Sequence, residues 1–425
     1  MATEEKATKP ARRSLLKNLV FAAVACVFVV IILHVGAYFG IRHQNRSVIR
    51  ELSESLKPAI PHFIDYLDIR LDFIHPFLKI TLAPDQNLPF CRINHQGHRG
   101  PEFAREKTGA FRVAILGGSA AMGSFANSES ETIHACLKAE LEKSFPGERF
   151  EVYNFAVQQY NSTQELFVLE TDALTYSPDF VIILSGINDF GWAELERPWK
   201  PHYPLGWLHM WSIINPGNFQ DGWQQKPGLL RTSFKWSFLA QTAWRNFQSR
   251  CSPAVFVRNM LMLRRGLGTD ASFAFRDSDF QIIGERTRAW AGNVELMGRL
   301  LDSCGIPYCA SLQPCAFVRR KPSASEVEIT RKFTRGEKAH ETAIRYWNAA
   351  YPAAEQALAA RPHKIRIFDM TRVFETVAET TYFDHCHYNA RGTAIVARRY
   401  ADHLRPFVEA WRQTKGAVSP TSPTP

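Results

Sequence analysis

A chain of 425 residues can bury one large core or two ordinary ones, and a hydrophobic content of 45% excludes disorder for its bulk. The formal charge of +10 allows anionic lipid, acidic glycan or nucleic acid as partners without choosing among them. Its basic residues are scattered through 231–265 and 319–338 without a stripe or a nucleic-acid motif, so they read as solvated surface and nucleic acid is not expected.

Residues 1–18 are polar and carry Lys6, Lys9, Arg12, Arg13 and Lys17. Residues 19–41 follow, apolar except for His34, and a helix of that length spans roughly 34 Å, enough to cross a bilayer. Arg42, Arg46 and Arg50 follow it, and the heavier positive charge before it predicts a single pass with the N-terminus in the cytoplasm and the large domain outside, periplasmic in a Gram-negative cell. A cleaved signal peptide is the competing reading, disfavoured because the apolar run exceeds an ordinary h-region. Cys26 lies inside the run, too far from its end for a lipoprotein site. Residues 42–110 read as a juxtamembrane connector with no core of its own.

From Phe111 onward, short apolar runs alternate with amphipathic stretches, the pattern of strand-helix-strand units in an α/β fold with a mostly parallel sheet. Five strands are predicted at 113–116, 150–155, 180–184, 307–312 and 364–368, and helices at 132–143, 163–174, 285–301, 337–360 and 391–411. Between about 190 and 280 the regularity breaks down, and seven of the ten tryptophans fall there. That stretch reads as an insertion in the 111–412 domain, either a lid or substrate wall, or a small satellite core. Residues 413–425, a tail ending in Ser, Thr and Pro, read as disordered. Of the eight cysteines, Cys304, Cys309 and Cys315 lack the paired CxxC spacing of a zinc site and read as buried thiols, one disulfide being open to them in an oxidising compartment.

Three segments can carry chemistry. Leu116-Gly117-Gly118-Ser119-Ala120-Ala121-Met122-Gly123 follows the first strand, where small residues would leave a serine exposed at the sheet's carboxyl edge among free backbone N–H groups. A phosphate loop is excluded by the absence of GxGxxG or GxxxxGK[ST], and a plain turn is the bland alternative. Asp384-His385-Cys386-His387 places an Asp three residues before a His, close enough for its carboxylate to meet Nδ1 and make a general base. An N-cap Asp beside surface histidines, or a metal cluster, would use the same residues, although side chains on so short a segment cannot easily surround one ion. Ser185-Gly186-Ile187-Asn188-Asp189 ends the third strand on the same edge, so Asn188 can aim an N–H at a developing oxyanion, with Asp189 as an orienter or a turn residue.

In this order and at these strand ends, the three segments resemble the SGNH (GDSL-type) hydrolase superfamily over about residues 94–404. The resemblance implies a three-layer, doubly wound, flavodoxin-like fold and a serine esterase that needs neither cofactor nor metal. It implies Ser119 as nucleophile, with Gly118 where the family usually has Asp. It implies Asp384 and His387 as the charge-relay pair with Gly392 beyond, and Gly186, Asn188 and Asp189 as the Gly-x-Asn-Asp block with Asn188 as oxyanion donor. Asn94-His95-Gln96-Gly97-His98-Arg99-Gly100 is similar to the family's Asn-x-x-Gly-x-Arg-Gly lead-in, and Leu312-Gln313-Pro314 to its fourth-strand ending.

One block departs from the pattern, because the position five residues after Asn154, a glycine in the family, is Gln159. A negative φ there would let the Gln backbone N–H serve the oxyanion hole, whereas a positive φ would strain or reshape the site. The expected reaction is attack of Ser119 on an ester carbonyl, with His387 as base, Asp384 as its orienter, and Ser119, Gln159 and Asn188 as oxyanion donors. The expected partner is an ester-bearing small molecule, lipid or glycan. An O-acyltransferase on a surface polysaccharide and a non-catalytic glycan-binding protein on the same fold are the alternatives.

Overall fold

In a computed structural model, residues 81–191 and 277–417 are described apart from 320, 335 and 366, together with positions 18, 21, 69, 71, 72, 78 and 275. The chain divides into two compact units, Met1–Leu56 and Lys57–Pro425. The apolar segment 19–41 lies outside the described residues except for Phe21, and so do residues 192–274 with the tryptophans of the insertion. No helix among the described residues is long and apolar enough to cross a membrane.

Within the second unit, two short antiparallel ladders come first: Leu71–Asp72 (β1) with Thr81–Leu82 (β2), and Gln86–Leu88 (β3) with Cys91–Ile93 (β4). The central sheet comprises Phe111–Gly117 (β5), Phe150–Asn154 (β6), Phe180–Ser185 (β7) and Tyr308–Leu312 (β8) in the order β6-β5-β7-β8, every pair parallel. All residues of β5, β7 and β8 are buried, as expected for strands covered on both faces. Each enclosed Val, Leu or Ile contributes about 1.5–3 kcal/mol relative to exposure.

The helices are Ser119–Met122 (α1), Ile133–Ser144 (α2), Ser162–Thr171 (α3), Ile187–Gly191 (α4), Asp277–Gln281 (α5), Ile283–Ser303 (α6), Ala324–Thr334 (α7), Glu337–Ala359 (α8) and Ala390–Ala417 (α9). Helix α9 packs on α2, while α6 packs between α3 and α8. Right-handed crossovers put α2, which leads from β5 outward to β6, on one face, and α3, which leads back past β5 to β7, on the other. The chain therefore reverses direction across the sheet between β5 and β7, where open parallel sheets form a crevice at their carboxyl ends. Ser119 follows β5 and Asn188 follows β7.

The expected fifth strand at 364–368 is reduced to one parallel bridge, Ala310 to Ile367, with Phe368 N donating to Ala310 O at 2.9 Å. Ile367 is half exposed there, so little apolar burial rewards a longer ladder. Residues 81–103 are built into the unit's core instead of forming a bare connector: Phe90, Cys91, Ile93, Arg99 and Phe103 are all buried. Helix α9 runs on to Ala417, into the stretch expected to be tail, and Trp411 packs edge-on against Phe111 while Arg412 pairs with Glu148 at 3.0 Å. Cys309 and Cys315 are buried free thiols as expected, whereas Cys304 is exposed.

Candidate active site

The strand β5 ends with two glycines because the chain around it approaches too closely for side chains. A Cβ on Gly117 would lie 2.5 Å from Leu184 O, and one on Gly118 would lie 2.5 Å from Asn188 Nδ2. The second contact falls on the tip of a side chain, so a larger residue at 118 would require the Asn188 amide to turn aside. Ser119 then opens the four-residue helix α1, which Gly123 closes in the left-handed conformation at φ +86.

The carbonyls at the end of this turn are held by groups whose role the sequence did not disclose. Arg99, with no exposed surface, donates from Nη1 to Gly123 O at 2.6 Å, from Nη2 to Phe90 O at 2.7 Å and from Nε to Glu129 at 2.9 Å. Asn154 Nδ2 donates to Ala121 O at 3.2 Å and approaches His134 Nδ1 at 3.1 Å. Burial, then the Arg99 charge, brings His134 down to about 3, so its imidazole is neutral and can accept that bond. The Ser119 turn thus rests on a buried polar platform. Asn94 shapes the approach to Arg99 by accepting from His98 N and donating to Pro101 O, both at 2.8 Å.

Asp384 and His387 lie on the strap before α9. Asp384 Oδ1 accepts the backbone N–H groups of Cys386 and His387, each at 2.8 Å, and Oδ2 lies 2.6 Å from His387 Nδ1. His387 Nε2 lies 2.7 Å from Ser119 Oγ, across 268 positions of sequence. Burial alone would raise the Asp384 carboxyl, but the charge and hydrogen bond of His387, the neighbouring His385 and the Cys386 N–H outweigh it and hold it well below the ordinary carboxylate range. Phe125 meets the His387 ring edge-on at 4.8 Å. A hydroxyl, imidazole and carboxylate in hydrogen-bonded line can pass a proton from oxygen to nitrogen while the carboxylate stabilises the imidazolium.

The strap is held from two sides. Ala316 N donates to His385 O at 2.8 Å and Gln313 Nε2 to Cys386 O at 3.0 Å. Buried Arg319 donates to Glu326 and, at 3.2 Å, to Thr381 Oγ1, while Glu326 also accepts from Thr381 N at 2.8 Å. Gly392 is required by close approach, since a Cβ there would lie 2.3 Å from Thr381 O.

Asp384, His385 and Cys386 have donor atoms within 4.8 Å of one another. Hydrogen bonds already engage both Asp384 oxygens, and burial pushes the Cys386 thiol well up, which disfavours a thiolate ligand. Burial also brings His385 down to about 4, against the pull of Asp384.

Around Ser119, the backbone N–H groups of Ser119 and Gln159 make no hydrogen bond among the described residues. Asn188 Nδ2 donates to Tyr160 O at 2.9 Å. Gln159 sits at φ +70, so the position does require the left-handed conformation and a side chain is carried there under strain of about 1–2 kcal/mol. The loop leaves this point through a capping box, Asn161 accepting from Thr163 N at 3.0 Å and Gln164 accepting from Asn161 N at 3.1 Å.

Asp189 is buried beside Ser162. Ser162 Oγ donates to it at 2.5 Å, and Asn293 Nδ2 donates to Ser162 Oγ at 2.9 Å. Burial raises Asp189 to about 6 against the hydrogen bonds from Ser162, and burial together with the Asp189 charge raises Glu165 well above the ordinary range. Two buried carboxyls therefore share the space behind the Asn188 turn.

No protein-family model and no curated protein matches the chain. Among solved structures, the acetyl xylan esterase AlAXEase is 12% identical, with 69% of this chain and 99% of that chain covered at a TM-score of 0.34. Axe2, an acetylxylan esterase from Geobacillus stearothermophilus, is 13% identical over 71% and 96% of the two chains at 0.33. LAE5, an α/β hydrolase from the metagenome of Lake Arreo, is 13% identical over 71% and 97% at 0.33.

Proposed function

We propose that the chain is a serine esterase of the SGNH kind that cleaves a carboxylic ester through an acyl-enzyme intermediate. Ser119 Oγ attacks the carbonyl and His387 Nε2 takes its proton, then returns it to the departing alcohol. Asp384 fixes the tautomer that leaves Nε2 free to accept, and water releases the acyl group in a second passage of the same steps. The N–H groups of Ser119 and Gln159, with the side-chain amide of Asn188, stabilise the oxyanion, where one donor is worth about 3 kcal/mol.

The observation that carries this reading is the unbroken relay from Asp384 through His387 to Ser119, at 2.6 and 2.7 Å. The unpaired N–H groups beside the serine support it. Residues 19–41 are proposed as the anchor that holds the enzyme at a membrane.

Pre-steady-state mixing with p-nitrophenyl acetate tests the proposal. Where deacylation is the slower step, an acyl-enzyme mechanism releases a burst of one nitrophenol per active chain before the steady rate, and Ser119→Ala abolishes burst and turnover together. Turnover that survives Ser119→Ala would contradict it.

A further inference from the structure

Among the described residues, four that are not glycine hold a positive φ: Asp85, Phe125, Gln159 and Ser177. Asp85 and Ser177 carry short polar side chains, whereas a bulky aromatic in this region is an outlier. Phe125 sits at φ +69 in the third position of the turn that Ala126 N closes on Gly123 O at 3.2 Å, a position that a positive φ ordinarily gives to glycine. The turn is over-determined by its surroundings: Ser124 N donates to Ser119 O at 2.9 Å, and buried Arg99 donates to Gly123 O at 2.6 Å. Strain held in this way next to reacting groups indicates a side chain kept for what it does there.

The Phe125 ring touches the base. It meets the His387 imidazole with 4.8 Å between centroids and 85° between planes, and among the described residues no other aromatic ring does so. In the resting site His387 is fixed at both nitrogens, Nδ1 by Asp384 at 2.6 Å and Nε2 by Ser119 Oγ at 2.7 Å. Acylation removes the second of these bonds. An esterified Oγ has no proton to donate, so the imidazole keeps the Asp384 bond alone and can swing about it. Deacylation still needs Nε2 aimed at a water: the water oxygen bonds to the acyl carbon, its proton passes to Nε2, and the bond from the acyl carbon to Oγ then breaks as that proton goes to Oγ. In this second half of the cycle, packing against Phe125 restrains the imidazole where the serine hydroxyl no longer does.

We propose that Phe125 is a positioning residue for His387 in the acyl-enzyme, so that its ring serves deacylation more than acylation. The role rests on the serine-esterase reading. It also gives Arg99 a part beyond the fold, since the Gly123 carbonyl that Arg99 holds is the one that closes the turn carrying the ring.

The test is a split between kcat and KM for p-nitrophenyl acetate, using the full chain in detergent. In an acyl-enzyme mechanism kcat/KM reports acylation alone, and the readily departing nitrophenolate leaves kcat to deacylation. In Phe125→Leu, kcat and KM are expected to fall together by about tenfold while kcat/KM stays within about threefold of the wild type. Phe125→Tyr, which keeps the ring, is expected to keep both constants within about threefold. Where Phe125→Leu does not fold, Phe125→Asn, which accepts the left-handed backbone, is read in its place. A kcat/KM that falls as far as kcat, unchanged constants in a folded Phe125→Leu, or an equal loss in Phe125→Tyr overturns the positioning role, while Ser119-dependent turnover by the wild type keeps the esterase reading intact. Absence of Ser119-dependent turnover in the wild type overturns the esterase reading and the positioning role with it.

Discussion

Replacing Asp384 by Asn perturbs the relay at the end farthest from the serine. The native carboxylate uses Oδ1 for two backbone N–H groups at 2.8 Å and Oδ2 for His387 Nδ1 at 2.6 Å. An Asn side chain that keeps the two backbone bonds with its oxygen must turn its NH2 toward Nδ1. That nitrogen then has to accept, so the imidazole proton moves to Nε2, and an N–H faces Ser119 Oγ where a lone pair is needed. The base is present in the wrong tautomer, and a fall of about 10⁴-fold in kcat is expected, equivalent to ~5.5 kcal/mol in the barrier. Turnover of p-nitrophenyl acetate measures it, with thermal unfolding as the control for structure. A kcat within tenfold of the wild type in a folded variant would refute the tautomer argument. The same carboxyl, held low in the folded state, contributes stability that is present above its unfolded value near pH 4 and is lost as pH falls through its folded value. Asp384→Asn should therefore narrow the difference in urea stability between acid and neutral pH.

Gly118→Ala drives a Cβ into the Asn188 amide, so it should lower kcat by about 100-fold or more through the oxyanion donor while the protein stays folded, as read by steady-state kinetics and circular dichroism. Arg99→Met removes donors from Phe90 O and Gly123 O and leaves Glu129 short of its partner, which should destabilise the fold by about 3–5 kcal/mol in denaturant titrations. Asp189 and Glu165 are raised in the folded state, so their contribution is present below the ordinary carboxylate range and is lost as pH rises through about 6 and above. Glu165→Gln should flatten the loss of urea stability as pH rises through about 6, and an unchanged slope would show that this pair does not titrate there.

The parallel sheet is legible in the sequence because 113–116 and 180–184, the cores of β5 and β7, are unbroken apolar runs separated by amphipathic stretches, and their burial on both faces leaves no other period to read. The sequence also placed Ser119 and Asn188 at strand ends, since Gly-Gly-Ser and Gly-Ile-Asn-Asp each begin where an apolar run stops. The distance between Ser119 and His387 could not be read locally, because it depends on the strap being clamped by Gln313, Ala316 and Arg319 from other elements. Arg99 was hidden for a related reason. An arginine in a turn-rich segment reads as surface, and only the tertiary fold shows that Phe90 O and Gly123 O converge on it. The apolar residues of 364–368 suit a strand, but the edge of the sheet accepts them at a single bridge. The Gln159 departure was visible as a residue type, but its backbone conformation was not, since the left-handed region at a glutamine is set by the close packing of the 157–160 loop against Gly117 and Asn188.

The most direct measurement is mass-spectrometric mapping of the full chain after treatment with a fluorophosphonate, which reacts only with a serine whose proton is drawn off by a neighbouring base. The account predicts one adduct, on the peptide containing Ser119, that disappears in Ser119→Ala and in His387→Ala. Folded wild-type protein that takes up no label, or takes it up at another serine, would contradict it.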